Sequence, residues 1–128
     1  MATPASKTIL IMDDSPLVLE MARAALEEAG FAVLAAADLA AFEVERRKGP
    51  DLVLLDVQMP QILGDKVGNV LRTLRGVKVP ILLFSNLGNT ELQLRAREAG
   101  VDGFISKRAG VSELVARVRA VLEPEVGR

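Results

Sequence analysis

Pro50-Asp51-Leu52-Val53-Leu54-Leu55-Asp56 is the stretch that decides the architecture. Its apolar core is too short for a helix and lacks the alternation of a sheet with one wet face. Such a run suits a strand covered on both sides, as in a parallel sheet packed between helices. Runs of the same kind recur on either side of it: Thr8-Ile9-Leu10-Ile11-Met12, Phe31-Ala32-Val33-Leu34-Ala35, residues 79–84, and the brief Gly103-Phe104-Ile105-Ser106.

Helical patterns fill the intervals. Leu17, Met21, Ala25 and Ala29, with Val18, Ala22 and Leu26 beside them, recur at three- and four-residue spacing. Ser15-Pro16 supplies a cap and a first-turn proline before them, and Gly30 a stop after them. Leu63, Val67, Val70, Leu71 and Leu74 repeat the pattern. Thr90 with Gln93 predicts a capping box opening a fourth helix, with Leu92, Ala96 and Ala99 facing inward. Val111, Leu114, Val115, Val118, Val121 and Leu122 form the last stripe, followed by Pro124. The segment 38–48 is the thinnest helix, with only Leu39, Ala41, Phe42 and Val44 to bury. Alternating strands and helices imply an α/β fold with right-handed crossovers. Five such units fit a doubly wound (βα)5 five-stranded parallel sheet of flavodoxin-like strand order 2-1-3-4-5. Residues 1–128 read as one domain with a core at about 7–123 and no linker, repeat or output domain.

Composition limits the chemistry. The chain has 128 residues, half of them apolar, and 16 Lys+Arg against 17 Asp+Glu. That balance argues against a partner held by phosphate-backbone contacts, so no nucleic acid is expected. Aromatic residues are 3%, all Phe, too few for base-stacking platforms. There is no Cys and no His, which removes thiolate nucleophiles, Cys-ligated zinc and the imidazole base. No apolar run approaches the roughly 20 residues that span a bilayer, and no secretory signal is visible at the N-terminus. A cytoplasmic protein without a membrane partner is the expectation.

In a sheet of this order, ligands bind at the carboxyl edge, where strands 1 and 3 flank the switch in direction. Strand 1 ends in Asp13-Asp14, strand 3 in Asp56, strand 4 in Ser85 and strand 5 in Lys107. Each has an ordinary reading: Asp13 or Asp14 as a helix cap, Asp56 as a strand exit, Ser85 as a satisfied loop hydroxyl, Lys107 as a solvated cation. Their coincidence on one edge is what those readings leave unexplained. Clustered carboxylates raise one another's pKa, a divalent cation relieves this, and oxygen-only ligands favour Mg²⁺. A carboxylate can be a nucleophile toward phosphorus. Metaphosphate-like transfer needs positioning and charge neutralisation rather than a histidine.

These residues at these spacings closely resemble the receiver domain of two-component response regulators, the CheY-like family. The resemblance runs from about residue 7 to 123 and rests on Asp13-Asp14, the 50–56 run, Met59-Pro60 with Gly64, Ser85, Phe104 and Lys107. It implies that Asp56 is the phosphoacceptor, with Lys107 and Ser85 assisting. It implies that Asp14, Asp56 and the backbone carbonyl of Gln58 bind Mg²⁺ directly, with Asp13 acting through water. Ser85 and Phe104 would be the switch pair, changing the partner surface of helix 4, strand 5 and helix 5. A sensor histidine kinase or a histidine phosphotransfer protein would exchange the phosphoryl group. The expected role is a stand-alone receiver signalling by protein–protein contact. It would be no enzyme in the ordinary sense, although it promotes its own phosphoryl transfer and dephosphorylation.

Departures from the family pattern carry expectations of their own. Arg108 follows Lys107 where proline, often with a cis bond, is usual. A non-proline cis bond costs about 2.5–4 kcal/mol, so a trans bond or a rearranged loop is predicted. Asn86 stands where a small residue is common, and Phe104 replaces the commoner tyrosine. These departures motivate an alternative, a phosphorylation-independent receiver-like interaction module. A haloacid-dehalogenase-like phosphatase would need a second Asp two residues after the nucleophile, where this chain has Gln58. A P-loop reading fails because the first strand leads into Asp-Asp-Ser-Pro and not a glycine-rich turn.

Overall fold

The structure, a computed structural model, describes residues 6–60 and 62–123. Five strands, β1 (Thr8–Met12), β2 (Ala32–Ala36), β3 (Leu52–Leu55), β4 (Ile81–Ser85) and β5 (Gly103–Ser106), alternate with five helices. The helices are α1 (Pro16–Glu28), α2 (Leu39–Arg46), α3 (Gly64–Thr73), α4 (Asn89–Ala99) and α5 (Val111–Leu122), and a 3-10 turn, Lys107–Ala109, precedes α5. All strand pairs are parallel, in the order β2-β1-β3-β4-β5. The expected α/β fold and strand order are therefore present.

Each central strand divides its side chains between two cores, because successive residues face opposite sides of the sheet. Ile9, Ile11, Leu52 and Leu54 join Leu26, Leu114 and Val118 beneath α1 and α5. Leu10, Met12, Val53 and Leu55 join Phe42, Val67, Leu71 and Leu92 beneath α2, α3 and α4. This double coverage is why the runs are continuous and not alternating.

Several details differ from the expectation. Leu17 and Met21 lie on the solvent side of α1, and its buried residues are Ala22 and Leu26. Leu63 precedes α3 and is exposed with Val70 and Leu74, leaving Val67, Gly68 and Leu71 to face the core. Leu39 and Val44 of α2 are exposed, so Phe42 is its single buried anchor. Val111 is exposed at the start of α5. The Thr90–Gln93 capping box does not form. Gly88 is the N-cap of α4, no side chain caps the helix, and Thr90 lies inside its first turn. β2 begins one residue after Phe31, and β4 runs over Ile81–Ser85. The Ser15 cap is as expected, its hydroxyl accepting from the Val18 N–H at 3.2 Å. Pro124 lies outside the described residues.

Candidate functional site

Register brings the acidic residues together. Met12 of β1 pairs with Leu55 of β3, so Asp13 and Asp56 leave adjacent strands at the same level. Paired strands lie about 4.8 Å apart. The Asp13 N–H donates to the Ala36 carbonyl at 3.1 Å and the Asp56 N–H to the Met12 carbonyl at 2.9 Å, which fixes both backbones. Asp13, Asp14 and Asp56 each bring a carboxylate oxygen within 4.8 Å of the others. Asp13 and Asp56 are buried, whereas Asp14 is exposed.

Lys107 reaches this cluster from the end of β5. Its Nζ lies 2.6 Å from Asp13 Oδ2 and 3.4 Å from Asp56 Oδ1, and its side chain is 12% exposed. The same ammonium sits 5.5 Å from the centroid of the Phe84 ring, within cation–π range. Asp13 Oδ1 accepts from the Ser15 N–H at 2.9 Å. Asp13 Oδ2 has the Lys107 charge facing it but accepts no hydrogen bond among the described residues, because the short approach is poorly directed.

Asp56 Oδ1 also accepts from the Gln58 N–H at 3.2 Å. The loop beyond Asp56 is closed by an isolated antiparallel bridge between Gln58 and Leu63, and by the Gly64 N–H donating to the Val57 carbonyl at 3.1 Å. A Cβ at position 64 would sit 1.9 Å from the Asp56 carbonyl oxygen, so the first turn of α3 can lie against the Asp56 backbone only with glycine there. Burial and then the charge of Asp13 raise the Asp56 pKa to about 6, against the lowering effect of Lys107 and the Gln58 hydrogen bond.

The remaining expected residues make no side-chain hydrogen bond to this cluster among the described residues. Ser85 is fully buried at the end of β4, and its hydroxyl accepts from the Leu87 N–H at 3.3 Å. Phe104, half-buried, packs in the core beneath α3 and α4. Gln58 enters through its backbone while the residue as a whole is exposed. There is no cis peptide bond among the described residues, so the bond between Lys107 and Arg108 is trans, as expected, and Lys107–Ala109 forms a 3-10 turn. Sequence reasoning missed the Phe84 ring beneath Lys107 and the Ser106 hydroxyl, which accepts from the Arg108 N–H at 3.1 Å. The alternation of β4 and β5 could have placed the first; the second depends on the turn conformation.

The donor set fits a hard divalent cation. Three carboxylates converge, and the chain has no His or Cys to offer a nitrogen or sulfur ligand. Among the described residues no helix is long and apolar enough to cross a membrane.

Comparisons with known proteins agree with this fold. Residues 9–119 match the response regulator receiver domain family. The phosphate regulon transcriptional regulatory protein PhoB of Pseudomonas aeruginosa is 38% identical over 120 residues, covering 91% of this chain and 52% of that protein. The alkaline phosphatase synthesis transcriptional regulatory protein SphR of Synechococcus elongatus is 36% identical, covering 94% of this chain and 50% of that protein. The chain thus spans about half the length of the curated relatives it matches. Among solved structures, the chemotaxis protein CheY4 of Vibrio cholerae superposes with a TM-score of 0.82 at 26% identity, covering 91% of this chain and 99% of that one. A LuxR-family two-component response regulator from Aurantimonas gives 0.80 at 32% identity, covering 92% and 86%. Fold and sequence therefore agree, and the chain belongs to the response regulator receiver domain family.

Proposed function

We propose that Asp56 accepts a phosphoryl group from a phosphohistidine donor, a sensor histidine kinase or a histidine phosphotransfer protein. An oxygen of the ionised Asp56 carboxylate attacks phosphorus, the nitrogen–phosphorus bond of the donor breaks, and the electron pair leaves with the imidazole, which takes up a proton. Hydrolysis later returns the carboxylate and inorganic phosphate. The observation that carries this reading is the convergence of three carboxylates with the Lys107 ammonium between two of them.

Asp56 supplies the nucleophile. Its raised proton affinity makes the ionised form more basic than an ordinary aspartate, and a pKa of about 6 still leaves it mostly ionised at pH 7.5. Lys107 offsets the charge that gathers on the transferring oxygens. Mg²⁺, held by Asp14, Asp56 and the Gln58 carbonyl with Asp13 through water, would neutralise the remaining anionic charge. Gly64 holds α3 against the Asp56 backbone. Ser85 and Phe104 would relay phosphorylation to the face formed by α4, β5 and α5, which would contact a protein target. Signalling through that face is the proposed output.

The test is phosphoryl uptake from acetyl phosphate, followed by intact mass. The parent with Mg²⁺ should gain one phosphoryl group, and chelation of the metal should prevent it. Asp14→Ala should weaken Mg²⁺ binding, read from NMR shifts, because the chain has neither Trp nor Tyr for a fluorescence titration. Failure of the parent to take up phosphate at saturating Mg²⁺ would overturn the reading in favour of a phosphorylation-independent module.

A further inference from the structure

We propose that Ser106 is a positioning residue for phosphoryl transfer, latching the turn that carries Lys107 to the rigid edge of the sheet. The inference rests on the reading of Asp56 as phosphoacceptor and of Lys107 as its counter-charge.

Lys107 must hold its ammonium between Asp13 Oδ2, at 2.6 Å, and Asp56 Oδ1, at 3.4 Å. The far end of the side chain is constrained by those carboxylates and by the Phe84 ring. Its near end is the first residue of a three-residue 3-10 turn. Turns of this kind have poor internal hydrogen bonds, and their leading N–H groups have no partner within the turn. The closing bond here is long, from the Gly110 N–H to the Lys107 carbonyl at 3.3 Å. The helix that follows offers no help, since Gly110 caps α5 without a side chain.

The Ser106 hydroxyl supplies what the turn lacks. It accepts from the Arg108 N–H at 3.1 Å, and it is the side-chain cap of this turn. Ser106 itself is the last residue of β5, paired in register with Ser85 of β4, so the acceptor is anchored in the sheet. Without the hydroxyl, the Lys107 backbone is free to drift. A four-carbon stem then holds its charge between the carboxylates for a smaller fraction of the time.

Ser106→Thr and Ser106→Val give the test, since Thr and Val match in shape and differ in the hydroxyl. With Mg²⁺ and acetyl phosphate, Ser106→Val should label about fivefold more slowly than the parent, and Ser106→Thr within about twofold of it. The Arg108 amide should exchange its hydrogen faster in Ser106→Val than in Ser106→Thr. In a Lys107→Ala background the Val–Thr difference in labelling should vanish, because the latch acts through Lys107. That readout separates positioning from a general loss of structure. Equal labelling of Ser106→Val and Ser106→Thr, or a difference that persists without Lys107, would overturn the inference. The two failures are distinguishable: a parent that takes up no phosphate defeats the reading of Asp56, whereas a labelled parent with matching variants defeats Ser106 alone.

Discussion

Burial and the neighbouring Asp13 hold the pKa of Asp56 at about 6, against an ordinary 3.8. Between those values the folded chain binds more protons at this site than the unfolded chain does. Ionising Asp56 therefore opposes folding, and its contribution to stability falls as pH rises through that window. The loss at pH 7 is on the order of 2–3 kcal/mol in the absence of metal. Asp56→Asn removes the titration, so the difference in unfolding free energy between variant and parent should grow in the variant's favour from pH 4 to pH 7. Urea unfolding followed by circular dichroism in a chelating buffer measures it. A difference that is flat with pH, or that favours the parent at pH 7, contradicts the assignment. At this scale the sequence was informative about which residues carry charge at the strand ends. It was silent on burial, which is what separates Asp13 and Asp56 from the exposed Asp14.

The strands were legible because continuous runs such as Leu52–Leu55 have few alternatives to being covered on both faces. The helices were legible in existence but not in orientation. Leu17 and Met21 obey the same spacing as Val18 and Ala22, and only the sheet decides which row is buried. Capping signals failed for a similar reason. Thr90 and Gln93 have the right spacing, but the cap is Gly88, two residues earlier, so Thr90 falls inside the first turn and Gln93 beyond it. The Ser106 bond depends on the 3-10 conformation of residues 107–109, which no periodicity announced. The amphipathic reading of α2 held for Phe42 and in part for Ala41, which packs half-buried against the same core, and the first has a measurable consequence. Phe42 is its single buried side chain, so Phe42→Ala should cost about 3–5 kcal/mol. Val44→Ala, on the exposed side, should change stability by less than about 0.5 kcal/mol. Similar costs for the two substitutions in urea unfolding would mean that α2 packs on another face.

At the level of the whole molecule, the order β2-β1-β3-β4-β5 makes β1 and β3 neighbours, and it is this adjacency that joins residues 13, 14 and 56. Two apolar cores fix the sheet from either side, and the polar residues gather where the strands run out of both. Lys107 reaches the cluster from the far edge strand, β5. Ser85 closes β4, and Phe104 lies in the neighbouring strand β5 that leads to Lys107. Asp56 was legible as a strand-end carboxylate from its position alone; its partnership with a lysine 51 positions away required the fold. The whole account depends on which atom carries the phosphoryl group. Reductive trapping of the labelled, Mg²⁺-loaded protein, followed by peptide mass spectrometry, locates it. The account predicts modification confined to Asp56 and absent from Asp56→Asn. Modification of Asp13, Asp14 or a hydroxyl group with Asp56 intact would contradict it.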